Sequence, residues 1–360
     1  MKIKIIILTL AVFILSGCFN YVEINNLVLV TGIGIDYKDD MYEVSFETLY
    51  QDKESSDSSF EKGTIRSGKG KTLGEAFDNV TLSVEKEPYF AHLKVLVISN
   101  EVAKNHLNEI CDFFLRNNDI RNIFSVVIAD ESTPEEILNN SDNYFPVASE
   151  KINSLLENNV YSNYISKNKY FKNIASNYLS KNKNIALTSI KIEEDNLKLG
   201  DLIVFNSKKP VGKLDDKMSL VLSVLDNKKP SSLFTITYDD NEYITLRIYK
   251  SKTKVSIEKN KFVINNDLMA EIVENSYNID LDKKSNQNKI ESDFSKLIDK
   301  EATDLINYLQ SINSDILGIN EKYYIKYRKR SNTYFKSSSF KVKTKVQINK
   351  KGLTFEVIKW

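Results

Sequence analysis

The sequence predicts an α+β protein in which mixed or antiparallel sheets carry packed helices, and three observations lead there. Short apolar runs, "LKVLVIS" at 93–99 and "IFSVVIAD" at 123–130, have the length of buried strands and alternate with helical segments. In the second half, "EYITLRIYKSKTKVSIEKNKFVI" alternates apolar with polar residues, as a sheet with one wet face does. A long helical stretch, about 286–312, then places Ile290, Phe294, Leu297, Leu305, Leu309 and Ile312 on one side and must cover a sheet. With 360 residues, 41% hydrophobic and 11% aromatic, the chain can bury substantial cores and has the length of two or three domains.

The N-terminus, "MKIKIIILTLAVFILSGCF", places Lys2 and Lys4 before an apolar run that ends in Leu15-Ser16-Gly17-Cys18. The run is short for a membrane span and closes on small residues before a cysteine, so 1–17 reads as a lipoprotein signal peptide. Cleavage would leave Cys18 first, its thiol carrying a diacylglyceryl group whose two chains suffice for stable anchoring. An ordinary secretory signal beside a chance cysteine is the competing reading. Removing 1–17 takes two lysines from a balance of 50 basic and 49 acidic residues, so the mature chain is nearly neutral. On that count no basic field remains to draw it to nucleic acid or to an anionic bilayer.

Residues 27–37 and 41–50 read as a strand hairpin turning on "KDD". Within it, Gly32-Ile33-Gly34 resembles the start of a dinucleotide fingerprint, but Tyr37 stands where the third glycine belongs and no helix follows. "GTIRSGKGKT" at 63–72 likewise resembles a phosphate-binding loop and fails, because Gly70 occupies the position of the magnesium hydroxyl and no strand precedes it. It reads instead as a loop entering a helix, with Thr72 and Glu75 as a capping box and Phe77, Val80, Thr81 and Val84 on the inner face. A helix over about 101–117 turns Val102, His106, Ile110, Phe113 and Phe114 inward, and "STPEEIL" opens another with Pro134 in its first turn. Residues 150–182 read as helical with a narrow apolar stripe. Five short strands follow, at "IALTSIKIEE", "LKLGDLIVFN", "KPVGKLDD", "MSLVLSVLD" and "SSLFTITYDD". The last strand, "SFKVKTKVQIN", points Phe340, Val342, Val346 and Ile348 one way and Lys341, Lys343 and Lys345 the other, a solvated face or an edge protected from pairing.

No catalytic constellation emerges. His92 and His106 lack metal-site spacing, and neither a G-x-S-x-G elbow nor a cysteine pair occurs. Cys111 lies among apolar residues as a small buried hydrophobe, and the acid pairs Glu193-Glu194, Asp215-Asp216 and Asp239-Asp240 fall in turns as solvated charge. The chain is expected to be no enzyme and to need no cofactor, metal or nucleotide.

The order of segments resembles the Ger(x)C family of spore-germination lipoproteins, the C subunits of nutrient germinant receptors. The resemblance runs over nearly the whole chain: the lipobox, "YVEINNLVLVTGIGID", "GKGKTLGEAF", "AHLKVLVISNEVAKNHLNEICDFFLRNNDIRN", "DLIVFNSKKPVGKLDD" and "SDILGINEKY". Two positions depart from the family pattern: Phe19 where a tryptophan is usual, and Asn320 where "GIG" would have its second glycine. The resemblance implies three mixed α/β domains, which the segments divide as 18–190, a small β-rich middle unit 191–238, and 239–360. It implies a non-catalytic subunit working with two integral membrane subunits, one transporter-like, on the outer face of the cytoplasmic membrane, the inner membrane of the spore. An autonomous lipid-anchored solute-binding protein is the alternative. The residues expected to face partners or hold the structure are Gly32, Gly34 and Asp36, then Arg116, Asp119 and Arg121 around "NNDIRN", and Gly318.

Overall fold

The computed structural model describes residues 26–49, 63–158, 169–179, 184–206, 208–226, 232–239, 242–277 and 279–350. The expected hairpin is present: β1 (Leu27–Lys38) and β2 (Met41–Leu49) pair antiparallel around Asp39 and Asp40, both with positive φ, as a tight two-residue turn requires. The segment read as a loop is instead a third strand, β3 (Thr64–Gly70), antiparallel to β2. Its glycines serve close packing. A Cβ on Gly70 would sit 2.4 Å from the Ala76 nitrogen, and one on Gly68 2.6 Å from that of Val80, so α1 (Leu73–Leu82) lies with its backbone directly on the strand. Lys69, between them, pairs with Glu43 on β2. Thr72 caps α1 as expected, accepting from the Glu75 N–H at 3.2 Å, while the Glu75 carboxylate reaches back to the N–H of Lys71.

Further along come β4 (Glu87–Tyr89), β5 (Val95–Ile98), α2 (Leu107–Arg116), β6 (Ser125–Ala129) and α3 (Pro134–Asn139). After these lie α4 (Ala148–Asn158), α5 (Phe171–Leu179), β7 (Ala186–Glu193), β8 (Asn196–Asn206) and β9 (Lys209–Leu214). A π turn, Val102–His106, opens the helix expected over 101–117. The strands join in one nine-stranded sheet of order β3-β2-β1-β5-β6-β7-β8-β9, with β4 beside β1. Its centre is parallel and its flanks are antiparallel hairpins. Both faces are covered, which explains the unbroken apolar runs of β5 and β6. Leu96, Ile98, Val126 and Ile128 point into a core with α1, α2 and α5, whereas Val95, Val97, Val127 and Ala129 point into one with α3 and α4.

"MSLVLSVLD", read as a strand, is a helix, α6 (Asp216–Leu225). Asp215 caps it, accepting from the Met218 N–H at 2.8 Å. An apolar run this short has no readable period, and the cap decided its state. The second sheet contains β10 (Ser232–Asp239), β11 (Glu242–Ile257), β12 (Lys261–Asn275) and β13 (Ser339–Lys350) in that order. Its last pair is parallel, so the chain crosses over between β12 and β13. The crossover contains α7 (Lys284–Ser311), α8 (Ile319–Tyr327) and α9 (Tyr334–Ser337). The long helix is as expected, with its buried stripe centred on Phe294, Ile298, Ala302 and Leu305.

The outer edge of β13 is not open. The N–H groups of Thr344, Val346 and Ile348 donate to Asp299 Oδ1, Ser295 Oγ and Glu291 Oε1 at 2.7, 3.0 and 2.9 Å. Spacing of four along α7 matches spacing of two along the strand, so helical side chains occupy donors that another strand would otherwise take. The boundaries expected at 190/191 and 238/239 fall inside β7 and β10, and 191–238 contributes to both sheets.

Candidate functional site

Gly32 and Gly34 lie in the middle of β1, facing α3 and the start of α4. A Cβ on Gly32 would approach Leu138 Cδ2 to 2.8 Å and Glu47 Oε2 to 3.1 Å, and one on Gly34 would meet Pro134 Cβ at 3.1 Å. The motif that imitates a dinucleotide fingerprint is therefore a seat for helices. Asp36, half-exposed, accepts the N–H of Tyr37 at 2.8 Å.

Behind Gly32 lies a residue that sequence reasoning missed. Glu47 is 1% exposed and caps the N-terminus of α4, taking the Ala148 N–H at 2.6 Å on Oε1 and that of Ser149 at 3.0 Å on Oε2. The Thr31 hydroxyl adds a third donor at 3.0 Å. Burial pushes this carboxyl above its ordinary value of 4.5, and the donors from Ser149, Thr31 and Ala148 pull the other way. The folded protein thus holds the proton more tightly than the unfolded chain. That contribution is complete below the unfolded value and is lost as pH rises through the folded one. Urea midpoints measured from acid to neutral pH should show wild type losing stability relative to Glu47→Gln, whose amide does not titrate, as pH climbs above 4.5. A constant gap would mean that Glu47 titrates as an ordinary carboxylate.

Residues 116–122 form the end of α2 and the turn after it, with Arg116, Asp119 and Arg121 exposed. Arg116, in the last turn of α2, uses its Nε to bind both Asp112 oxygens at 2.9 and 2.8 Å, an i,i+4 pair that holds the Asp112 carboxyl below the usual range. Asn117 Oδ1 accepts the Asp119 N–H at 2.9 Å, folding the turn on itself, and buried Ile120 pins it to the core. Arg121 and Asp119 are exposed, and so in part are Leu115 at 44% and Ile123 at 54%. An open cleft of about 500 Å³ lies alongside, lined by Leu73, Asn108, Glu109, Asp112, Phe113, Arg116 and Asn117. The patch mixes guanidinium groups with exposed aliphatic side chains, a composition suited to protein contact.

Gly318 has φ 69°, a left-handed conformation, at the head of α8. That turn lets Asp315, 1% exposed, accept the N–H groups of Ile319 and Asn320 at 2.9 and 2.7 Å. The same segment ties back to the first sheet. Asn184 and Asp315 exchange two bonds of 3.1 Å, and the Ser314 hydroxyl donates to the Phe205 carbonyl at 2.6 Å. Asn320 has no positive φ, and its Oδ1 accepts the N–H of Phe335 at 2.8 Å, so a second glycine is not needed there. The three candidate segments do not converge on one pocket.

His106 is half-buried, stacked on Tyr37 at 3.8 Å and 3.1 Å from the Tyr42 hydroxyl through Nδ1. His92 is exposed. Cys111 is buried, and burial pushes its thiol up to about 12, far from reactivity. No group of three or more metal-ligating side chains occurs among the described residues. Cys18 and Phe19 lie outside them.

Two family models cover this architecture: a spore germination protein N-terminal domain over 20–192, and a C-terminal domain described as spore germination B3/GerAC-like over 200–352. The chain belongs to the Ger(x)C family of spore germination proteins. This Ger(x)C chain is 24% identical over 322 residues to spore germination protein B3 of Bacillus subtilis (strain 168), spanning 82% of itself and 81% of that relative. It is 24% identical over 300 residues to spore germination protein GerQC of Bacillus cereus, with 81% and 83% covered. To spore germination protein A3 of Bacillus subtilis (strain 168) it is 32% identical over 167 residues, 44% of this chain and 43% of the relative. The crystal structure of the GerBC protein superposes with a TM-score of 0.54 at 18% identity, covering 88% of this chain and 97% of that one. The fold of that structure is thus shared, and it is the two family models that associate the chain with spore germination. No helix among the described residues is long and apolar enough to cross a membrane.

Proposed function

We propose that this protein is the non-catalytic, lipid-anchored subunit of a nutrient germinant receptor, held at the outer face of the cytoplasmic membrane through Cys18. The two family models, which together run from residue 20 to residue 352 in the order of the sequence blocks, carry this reading. The lipobox supports the anchor, and the partly apolar surface around Arg116 and Arg121 supports docking with membrane partners. In this reading the chain works with two integral membrane subunits, one transporter-like. Affinity capture of the tagged protein from gently solubilised spore inner membranes, with Cys18→Ala alongside, tests it. Co-recovery of two polytopic proteins that depends on Cys18 is the expected outcome. Recovery of the protein alone, while other membrane complexes survive the same treatment, would overturn it.

A further inference from the structure

The chain is almost neutral, yet its register gathers lysine on one uncovered face of the second sheet. α6 and α7 pack on one side of β11–β13, and the opposite side carries no element among the described residues. Lys250, Lys252 and Lys254 of β11 and Lys341, Lys343 and Lys345 of β13 all point there and are exposed. Pairing aligns them across β12: Lys254 with Asn265 and Lys343, and Lys252 with Asp267 and Lys345. Adjacent strands are about 4.8 Å apart, so the ammonium groups form two rows roughly 10 Å from each other. Asp267 is the carboxylate set between them. Glu271, further along, is engaged by Arg247 at 2.8 Å. None of the six lysines forms an ion pair among the described residues.

This overturns the expectation that no basic field remains. It also narrows what the face contacts. Protein interfaces deplete lysine at their cores and favour arginine and aromatics, and single-stranded nucleic acid is held by rows of stacking aromatics, whereas Asn265 and Asp267 fill the paired positions between Lys252, Lys254, Lys343 and Lys345. Lysine is a hydrated point charge on a flexible stem without geometric demand, which suits a diffuse anionic plane. Half-buried Val263 and Met269 between the rows add apolar contact at the level of lipid headgroups. We infer that the lysine face of β11–β13 rests on an anionic phospholipid surface, orienting the second sheet against the bilayer independently of acylation.

Flotation of residues 18–360 with Cys18→Ala, which keeps every described element and removes the acylation site, tests this. The vesicles are phosphatidylcholine alone or phosphatidylcholine mixed with phosphatidylglycerol. Binding should appear on the anionic vesicles and fade with added salt, since exposed charges are screened within about 10 Å at 0.1 M. Neutralising Lys252, Lys254, Lys343 and Lys345 to Gln should lower it by at least about tenfold. Neutralising Lys104, Lys300, Lys322 and Lys336, exposed elsewhere, should leave most of it. Lys343→Gln with Lys345→Gln alone is a milder variant giving the same sign, and melting curves confirm folding. Equal flotation of parent and quadruple variant would overturn the inference, as would an equal loss in the control set. Because Cys18 is absent from every sample, neither result bears on the receptor reading.

Discussion

Replacing Gly70 by alanine is expected to destabilise the protein by about 2–3 kcal/mol, although the change is one methyl group at a residue with no chemistry of its own. The new Cβ would stand 2.4 Å from the Ala76 nitrogen and 2.8 Å from the Glu75 carbonyl carbon, and both are helix backbone. A side chain could rotate away, but α1 can yield only by lifting from β3. Lifting it would strip Leu73, Ala76, Phe77 and Val80 from the first core. Gly74, in the same helix, is the internal control. Nothing lies within 4 Å of its Cβ position, so Gly74→Ala should stabilise by roughly 0.5–1 kcal/mol through helix propensity. Urea denaturation of both variants decides the matter. A Gly70→Ala protein as stable as wild type would mean that α1 does not lie on the strand at this distance.

Asp315→Ala is expected to cost about 3 kcal/mol, because two charge-assisted bonds disappear and the N–H groups of Ile319 and Asn320 are left buried without partners. Asp315→Asn should cost less, since its amide oxygen can still serve one N–H while its NH2 opposes the other. Gly318→Ala should cost about 1 kcal/mol from forcing a side chain into the left-handed region. The order Ala worse than Asn at 315 is the discriminating result in thermal or chemical melts. Equal losses would show that the carboxylate position matters only for packing. The consequences reach beyond α8, since the Asp315 backbone exchanges bonds with Asn184 at the entrance to β7 and neighbouring Ser314 holds the end of β8. Loosening this segment should release the crossover from the first sheet.

Elements with a strong local period could be read directly. The hairpin of β1 and β2, the buried strands β5 and β6, the Thr72 cap and the long helix α7 all follow from apolar spacing or turn chemistry. The alternation in β13 is as expected, with Val342, Val346 and Ile348 buried, Phe340 partly buried against the same core, and the three lysines exposed. Two elements were misread for opposite reasons. β3 is polar and rich in glycine, so it carries no strand propensity of its own, and pairing with β2 and contact with α1 make it a strand. α6 is apolar nearly all round, so its period is invisible, and only Asp215 marked the helix start.

The candidate site divides along the same line. Gly32, Gly34 and Gly318 were legible as special positions, because glycine in a strand or before a helix is a backbone signal. What they serve was not legible. Glu47 is one acid among 49 acidic residues, and nothing local distinguishes it from a solvated one. It becomes the cap of α4 because β2 brings it beneath a helix that starts about a hundred residues later. Asp315 sits three residues before Gly318 at the start of a helix, a spacing that could have marked it as a cap.

The sequence by itself determined the family, the lipobox and the alternation of every strand with a clear wet face, since each depends on residues near one another along the chain. Only the tertiary structure decided which glycines yield to a helix, which carboxylate is buried, and that six scattered lysines share one face. Those properties arise from register and crossover, which place side chains together across strands that sequence order holds far apart.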